Sequence, residues 1–175
     1  MFVLQNEADT TYNSLGSKTP KGGMEMQHSE IVTLERFNRL LDVVIDKIQA
    51  DKAFNPNTIL ALSTGGFPVA AALAKQLGIR SQDVIGLPVY KDEDGDYHLD
   101  DRLVTLGSCD DRQVLVVDEA SNRGLLTRKA VDVVVELNGV AKSCVLVAWE
   151  GGVQPDFVAE TCIGKPPKFY WEPAQ

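Results

Sequence analysis

Cysteine is scarce. Cys109, Cys144 and Cys162 are the only three, an odd number at wide spacings that fits neither a disulfide framework nor a zinc-ligand cluster. The expectation is a reducing, cytosolic compartment. Histidine is scarcer still. His28 and His98 stand alone, without a cysteine or carboxylate at metal-ligand spacing, so neither is assigned a catalytic role, and His98 keeps only the interest of sitting in a projecting segment. Positive charge is also in deficit: 17 Lys and Arg against 25 Asp and Glu leave a formal net charge of −8. This excludes a protein that wraps a nucleic-acid backbone, because such binding depends on clustered Lys and Arg releasing counterions. The same charge repels phosphate ligands, so a bound anion must be held by local devices such as helix-start N–H groups, a placed Arg or a metal ion. No apolar run approaches the roughly 18 residues that span a bilayer, and no basic stretch leads into an apolar h-region, which points away from a membrane or secreted protein. Internal repeats and low-complexity segments are absent.

What is present is enough for one domain. The chain has 175 residues, 44% of them hydrophobic, sufficient for a core without covalent staples. Residues 1–28 are polar, with Gly16, Pro20, Gly22 and Gly23 and no apolar periodicity, and are expected to form a flexible arm preceding a folded domain over 29–175. From Leu34, the residues Phe37, Leu40, Leu41, Val44, Ile45 and Ile48 recur at helical spacing behind Thr33, a natural N-cap. The run 58–63 predicts a strand, followed by a Gly-Gly turn and a helix from Pro68 to Leu77 closed by Gly78. Residues 84–90 predict another strand, and the turn signal at 93–96 before Tyr97 to Leu106 predicts a projecting hairpin. Val114 to Val117 reads as a buried strand ending at Asp118-Glu119, with a helix from Leu125 to Leu137 stopped by Asn138-Gly139. A strand over 143–149 and two shorter β segments, 156–160 and 168–172, complete the pattern. Repeated β-loop-α units imply an α/β fold with a doubly wound, mostly parallel sheet.

In an open α/β sheet, ligands bind beyond the carboxyl ends of the strands, so Ser63-Thr64-Gly65-Gly66 and the loop from Asp118 to Gly124 are the candidate site. The glycines allow a backbone to approach a ligand, and the helix start behind them suits pyrophosphate; the alternative is a plain strand-to-helix turn. Asp118 and Glu119, followed by Asn122, Arg123 and Gly124, can hold ribose hydroxyls or Mg2+ on one side and phosphate on the other; the alternative is a pair of solvated acids capping a strand.

The order of these motifs resembles the type I phosphoribosyltransferases. Residues 114–124 are similar to that family's signature for 5-phosphoribosyl-1-pyrophosphate (PRPP), in which apolar residues lead into two acidic residues and a loop ending Asp-Thr-Gly. Ser63 to Gly66 resembles its pyrophosphate loop, the hairpin over 90–106 its flexible catalytic loop, and residues 155–160 with 170–172 the tail of small purine-using members. The resemblance covers residues 29 to the end. It implies a small hood built from the terminal segments, and transfer of phosphoribose from PRPP to a purine-type nucleobase with release of pyrophosphate. It also implies Mg2+ as cofactor, and leaves a homodimer open. Carried over by position, Asp118 and Glu119 hold the ribose hydroxyls and Mg2+, and the backbone from Arg123 through Gly124, Leu125 and Leu126 to Thr127 cradles the 5-phosphate. Ser63, Thr64, Gly65 and Gly66 hold pyrophosphate, and Asn122 takes the position of the family's catalytic Asp, the general base.

Several positions depart from the family pattern. Asn122 stands where the family has Asp, and an amide cannot accept a proton near neutral pH. Arg123 replaces a Thr, and Leu125 and Leu126 replace polar or hydroxyl residues of the cradle, with Thr127 one position late. Glu150-Gly151-Gly152 follows the strand where purine-using relatives place a Lys, and Pro166 falls where an aromatic stacks on the base, leaving Trp149, Phe169 or Tyr170 as substitutes. These departures keep a rival in view: a PRPP- or nucleotide-binding regulator that kept the fold and lost turnover. A scaffold that binds no nucleotide is the third reading.

Overall fold

The computed structural model describes residues 31–93, 97–99, 109–164 and 167–172; the expected arm over 1–28 and Pro166 lie outside them. The first helix, α1 (Leu34–Ala50), follows a two-residue strand, β1 (Ile31–Val32). Its capping is as the sequence predicts: Thr33 Oγ1 accepts from Arg36 N at 3.3 Å, and the stripe Phe37, Leu40, Leu41, Val44 and Ile48 is buried. Strand β2 (Thr58–Leu62) passes directly into α2 (Ser63–Leu77). Here the structure departs from expectation, because the helix begins at Ser63 and carries Pro68 inside it. The Gly-Gly pair therefore forms the helix's first turn, and no separate loop precedes Pro68. Gly78 closes α2 with φ 71°, the left-handed C-cap that glycine adopts without a Cβ penalty.

Strand β3 (Val84–Leu87) and the hairpin strands β4 (Val89–Lys91) and β5 (Tyr97–Leu99) come next. β4 and β5 pair antiparallel with Tyr90 opposite His98, as the turn signal predicts; the rest of the expected arm, 100–106, lies outside the described residues. Strand β6 (Gln113–Ser121) is longer than the apolar run suggests, so Asp118 and Glu119 lie within a strand and not beyond its end. Helix α3 (Leu125–Glu136), strand β7 (Val140–Trp149), strand β8 (Phe157–Cys162) and strand β9 (Lys168–Phe169) complete the order.

The main sheet has five strands in the order β3-β2-β6-β7-β8, all parallel. This is the doubly wound order 2-1-3-4-5 in strand sequence. Alternation along the strands feeds two cores. Ile59, Ala61, Leu115 and Val117 join the layer of α1 and α2, and Leu60, Leu62, Val114 and Val116 join Ala130 and Val134 of α3. Such two-sided burial explains why β2 and β6 read as continuous apolar runs. The terminal segments meet in a second, two-stranded parallel sheet, β1 with β9, the hood expected of them. Among the described residues no helix is long and apolar enough to cross a membrane. Cys109, Cys144 and Cys162 are free thiols, and burial pushes the Cys144 thiol up to about 12.

The link from β7 to β8 is unusual. Parallel neighbours normally need a crossover of a dozen or more residues, usually a helix, whereas only residues 150–156 lie between Trp149 and Phe157. The short return is clasped at its far end: Asp156 Oδ2 accepts from Ser143 N at 2.7 Å and from Ser143 Oγ at 2.8 Å.

Candidate functional site

The sheet order creates a crevice. The chain leaves β2 toward the edge strand β3 and leaves β6 toward β7 on the other side, so the helices after β2 and β6 diverge. This is the topological switch point where α/β sheets bind ligands. The register opens it further. β2 pairs with β6 only as far as Ala61 opposite Val117, while β6 continues beside β7 to Ser121 opposite Ala148. Asp118 thus lies level with Leu62, the last residue of β2, and Glu119, Ala120 and Ser121 run past it.

Two helix starts meet this crevice, and neither α2 nor α3 has a capping side chain at its N-cap, Leu62 or Gly124. Such first turns carry N–H groups without intrahelical partners and the positive end of the helix dipole, although in α2 the Gly65 N–H is taken by Ser63 Oγ. Ser63 occupies a strained left-handed conformation, φ 56°, which turns the chain from strand to helix without an intervening loop. Its Oγ accepts from Gly65 N at 3.2 Å and donates to Asp118 Oδ1 at 3.4 Å, tying the first turn of α2 to β6. The glycines beside it are required by close approach: a Cβ at Gly66 would stand 2.7 Å from the Val117 carbonyl oxygen. A Cβ at Gly65 would stand 2.0 Å from Glu119 Cδ and Oε1. The carboxylate of Glu119 therefore covers the first turn of α2, a contact that no sequence spacing indicated.

Asp118 is 8% exposed, and burial, reinforced by the neighbouring Glu119 carboxylate, pushes its carboxyl well above the ordinary range. Oε2 of Glu119 is buried without a hydrogen-bond partner among the described residues. A buried carboxyl beside a half-buried carboxylate with one orphaned oxygen is an arrangement that a bound cation would satisfy. Among the described residues no group of three or more His, Cys, Asp or Glu gathers, so the pair cannot form an all-protein cage. It does fit Mg2+, which is commonly held by one or two carboxylates together with substrate phosphates and water.

The candidate cradle lies at Asn122, Arg123, Gly124, Leu125, Leu126 and Thr127. Gly124 takes φ 73° as the N-cap of α3, and the loop after β7 packs on it: Val153 N donates to the Arg123 carbonyl at 3.0 Å. A Cβ at Gly152 would stand 2.4 Å from the Asn122 carbonyl oxygen, which explains a glycine in the segment where purine-using relatives carry Lys. Asn122, Arg123 and Leu125 are exposed, whereas Thr127 is buried. Thr127 Oγ1 donates to the Gly124 carbonyl at 3.0 Å, so its hydroxyl braces the helix start.

The aromatic candidates separate. Phe169 is 1% exposed and stacked on Trp171 at 4.7 Å; it belongs to the core beneath the hood, which corrects its candidacy as a base platform. Tyr170 is half exposed and meets α1 through Phe37 at 6.2 Å. Trp149 ends β7, half-buried, with Gly151 against its indole. Beside the hairpin His98 does have a carboxylate neighbour: its Nε2 lies 2.6 Å from Oδ2 of Asp92, the residue that follows β4.

A parallel sheet of this order, with an acid pair and two helix starts at its switch point, defines a doubly wound α/β protein whose crevice suits an anionic ligand. The chain belongs to the phosphoribosyl transferase domain family, whose model matches residues 27–173. Similar solved structures include a purine phosphoribosyltransferase from Pyrococcus horikoshii, 20% identical over 82% of this chain and 93% of that one, with TM-score 0.67. A xanthine-guanine-hypoxanthine phosphoribosyltransferase from Helicobacter pylori is 17% identical over 82% and 93%, also at TM-score 0.67. A hypothetical protein from Neisseria gonorrhoeae with bound ppGpp is 17% identical over 81% and 87%, again at 0.67. At these identities the likeness is one of fold. Among curated proteins none matches the chain.

Proposed function

We propose that this protein transfers the phosphoribosyl group of PRPP to a nucleobase, of purine type, with release of pyrophosphate. The observation that carries the reading is the convergence of two helix starts, neither with a side-chain cap at its N-cap residue, and the Asp118–Glu119 pair on one crevice. Pyrophosphate is assigned to the first turn of α2, and the 5-phosphate to the start of α3 with Arg123 beside it. The pairing of family and geometry supports this placement. The acid pair faces the ribose between them, where fixed negative charge stabilises the positive sugar as the C1–O bond breaks and a C1–N bond to the base forms. Asp118 and Glu119 would hold Mg2+, which when bound would supply charge neutralisation for the departing pyrophosphate.

Asn122 limits this chemistry, because an amide cannot take the proton released by the incoming base. Asn122→Asp is expected to raise turnover by about 10²- to 10⁴-fold, the usual contribution of a positioned general base. The assay is pyrophosphate release with a panel of purine bases: base-dependent release supports transfer, and its absence in both forms argues against it.

A second reading, a nucleotide-binding regulator without turnover, is favoured by Asn122 together with exposed Leu125 in the cradle and by the structural neighbour with bound ppGpp. It predicts saturable binding of PRPP or a guanine nucleotide with no base-dependent release.

A further inference from the structure

The contact between Glu119 and Gly65 has a further consequence for which ligands enter the site. All three terminal atoms of the Glu119 side chain surround the point where a Cβ at Gly65 would sit, at 2.0, 2.0 and 2.1 Å. The carboxylate therefore fills the space above the first turn of α2. It also complements the positive end of that helix, whose N-cap Leu62 makes no side-chain cap bond and whose first turn is braced only by Ser63 Oγ on Gly65 N. Yet the contact is incomplete, because Oε2 is buried with no hydrogen-bond partner among the described residues, an arrangement that costs free energy relative to a satisfied one.

We infer that Glu119 is a specificity gate for the pyrophosphate seat: its carboxylate occupies the seat in the free protein and admits pyrophosphate only when a divalent cation draws it aside. This rests on the reading of α2 as the pyrophosphate seat. Two effects exclude the metal-free ligand. The carboxylate takes up the volume that a phosphoryl group needs, and its charge repels a second anion a few ångström away. A cation at the acid pair removes both obstacles, since it gives the orphaned oxygen a partner away from Gly65 and lowers the negative potential. The gate thus selects metal-complexed over free pyrophosphate in a protein whose own charge already disfavours anions.

The test is calorimetric titration of inorganic pyrophosphate, with and without Mg2+, into the full-length protein and into Glu119→Gln, Glu119→Ala and Asp118→Asn, each checked for cooperative melting. The native protein is expected to bind only with Mg2+. Either substitution at Glu119 is expected to give metal-free binding stronger than native by about tenfold or more, as loss of one like charge at short range implies. Asp118→Asn, which leaves Glu119 on its seat, should weaken Mg2+-dependent binding without that gain. Native binding with Mg2+ but no metal-free gain in either Glu119 variant overturns the gate and leaves the seat standing. An equal gain in Asp118→Asn overturns it too, since the effect would then be general charge. No pyrophosphate binding by the native protein even with Mg2+ removes the seat itself, and the gate with it.

Discussion

At residue 66 there is no room for a methyl group. The nearest obstacle is backbone, the Val117 carbonyl oxygen at 2.7 Å, so α2 and β6 would have to separate to admit one. Gly66→Ala is expected to destabilise the protein by about 1–3 kcal/mol, the usual range for overpacking. Its neighbour contrasts, because a Cβ at Gly65 meets only the mobile end of Glu119. Gly65→Ala should therefore be near neutral or stabilising by up to about 1 kcal/mol, the helix-propensity gain, with Glu119 displaced. Urea denaturation of both variants checks the pair. Asp118 supplies a pH prediction at the same scale. Its carboxyl holds a proton more tightly in the folded than in the unfolded chain, so the fold binds more protons between the ordinary value of 3.8 and the raised one. Stability contributed this way is present at low pH and falls as pH rises through that window. Asp118→Asn removes the ionisation and should raise the neutral-pH melting temperature of the ligand-free protein while flattening the decline. Melting curves across the acid-to-neutral range read this directly.

Among the elements, the return from β7 to β8 is held by two side chains, Gln154 within the loop and Asp156 at its far end. Asp156 satisfies both Ser143 N and Ser143 Oγ, and Ser143 is 6% exposed. Asp156→Ala leaves a buried donor unpaired and should cost about 1–3 kcal/mol, measured by chemical denaturation, with Asp156→Asn restoring part of the loss. Element identity was legible in the sequence where burial is two-sided or strongly periodic. α1 was marked by its cap and stripe, and β2, β6 and β7 by their apolar runs. Boundaries near the site were not. α2 starts at Ser63 because Ser63 adopts a left-handed φ and the glycines let the helix lie against β6, a tertiary cause invisible to local propensity. β6 extends through Asp118 and Glu119 because pairing to β7 continues after β2 has ended, so acidic residues that looked terminal are held within a strand.

For the whole molecule, the order of strand-end motifs was enough to read the fold, since a doubly wound sheet places its loops by topology. Side-chain placement within the site was less accessible. Phe169 is core, the Thr127 hydroxyl bonds to the Gly124 carbonyl, and Glu119 sits over α2. Each outcome depends on packing between segments far apart in sequence. The molecule's net charge of −8 makes local positive features decisive for any phosphate ligand, and binding should weaken with added salt less than for a basic nucleic-acid protein, because few counterions are released.

PRPP binding at the switch point between β2 and β6 is read by isothermal titration of PRPP with and without Mg2+, comparing the native protein with Asp118→Ala. Saturable binding that requires Mg2+ and is lost on substitution is the predicted result. Absence of binding to the native protein, or binding indifferent to Asp118, would contradict it.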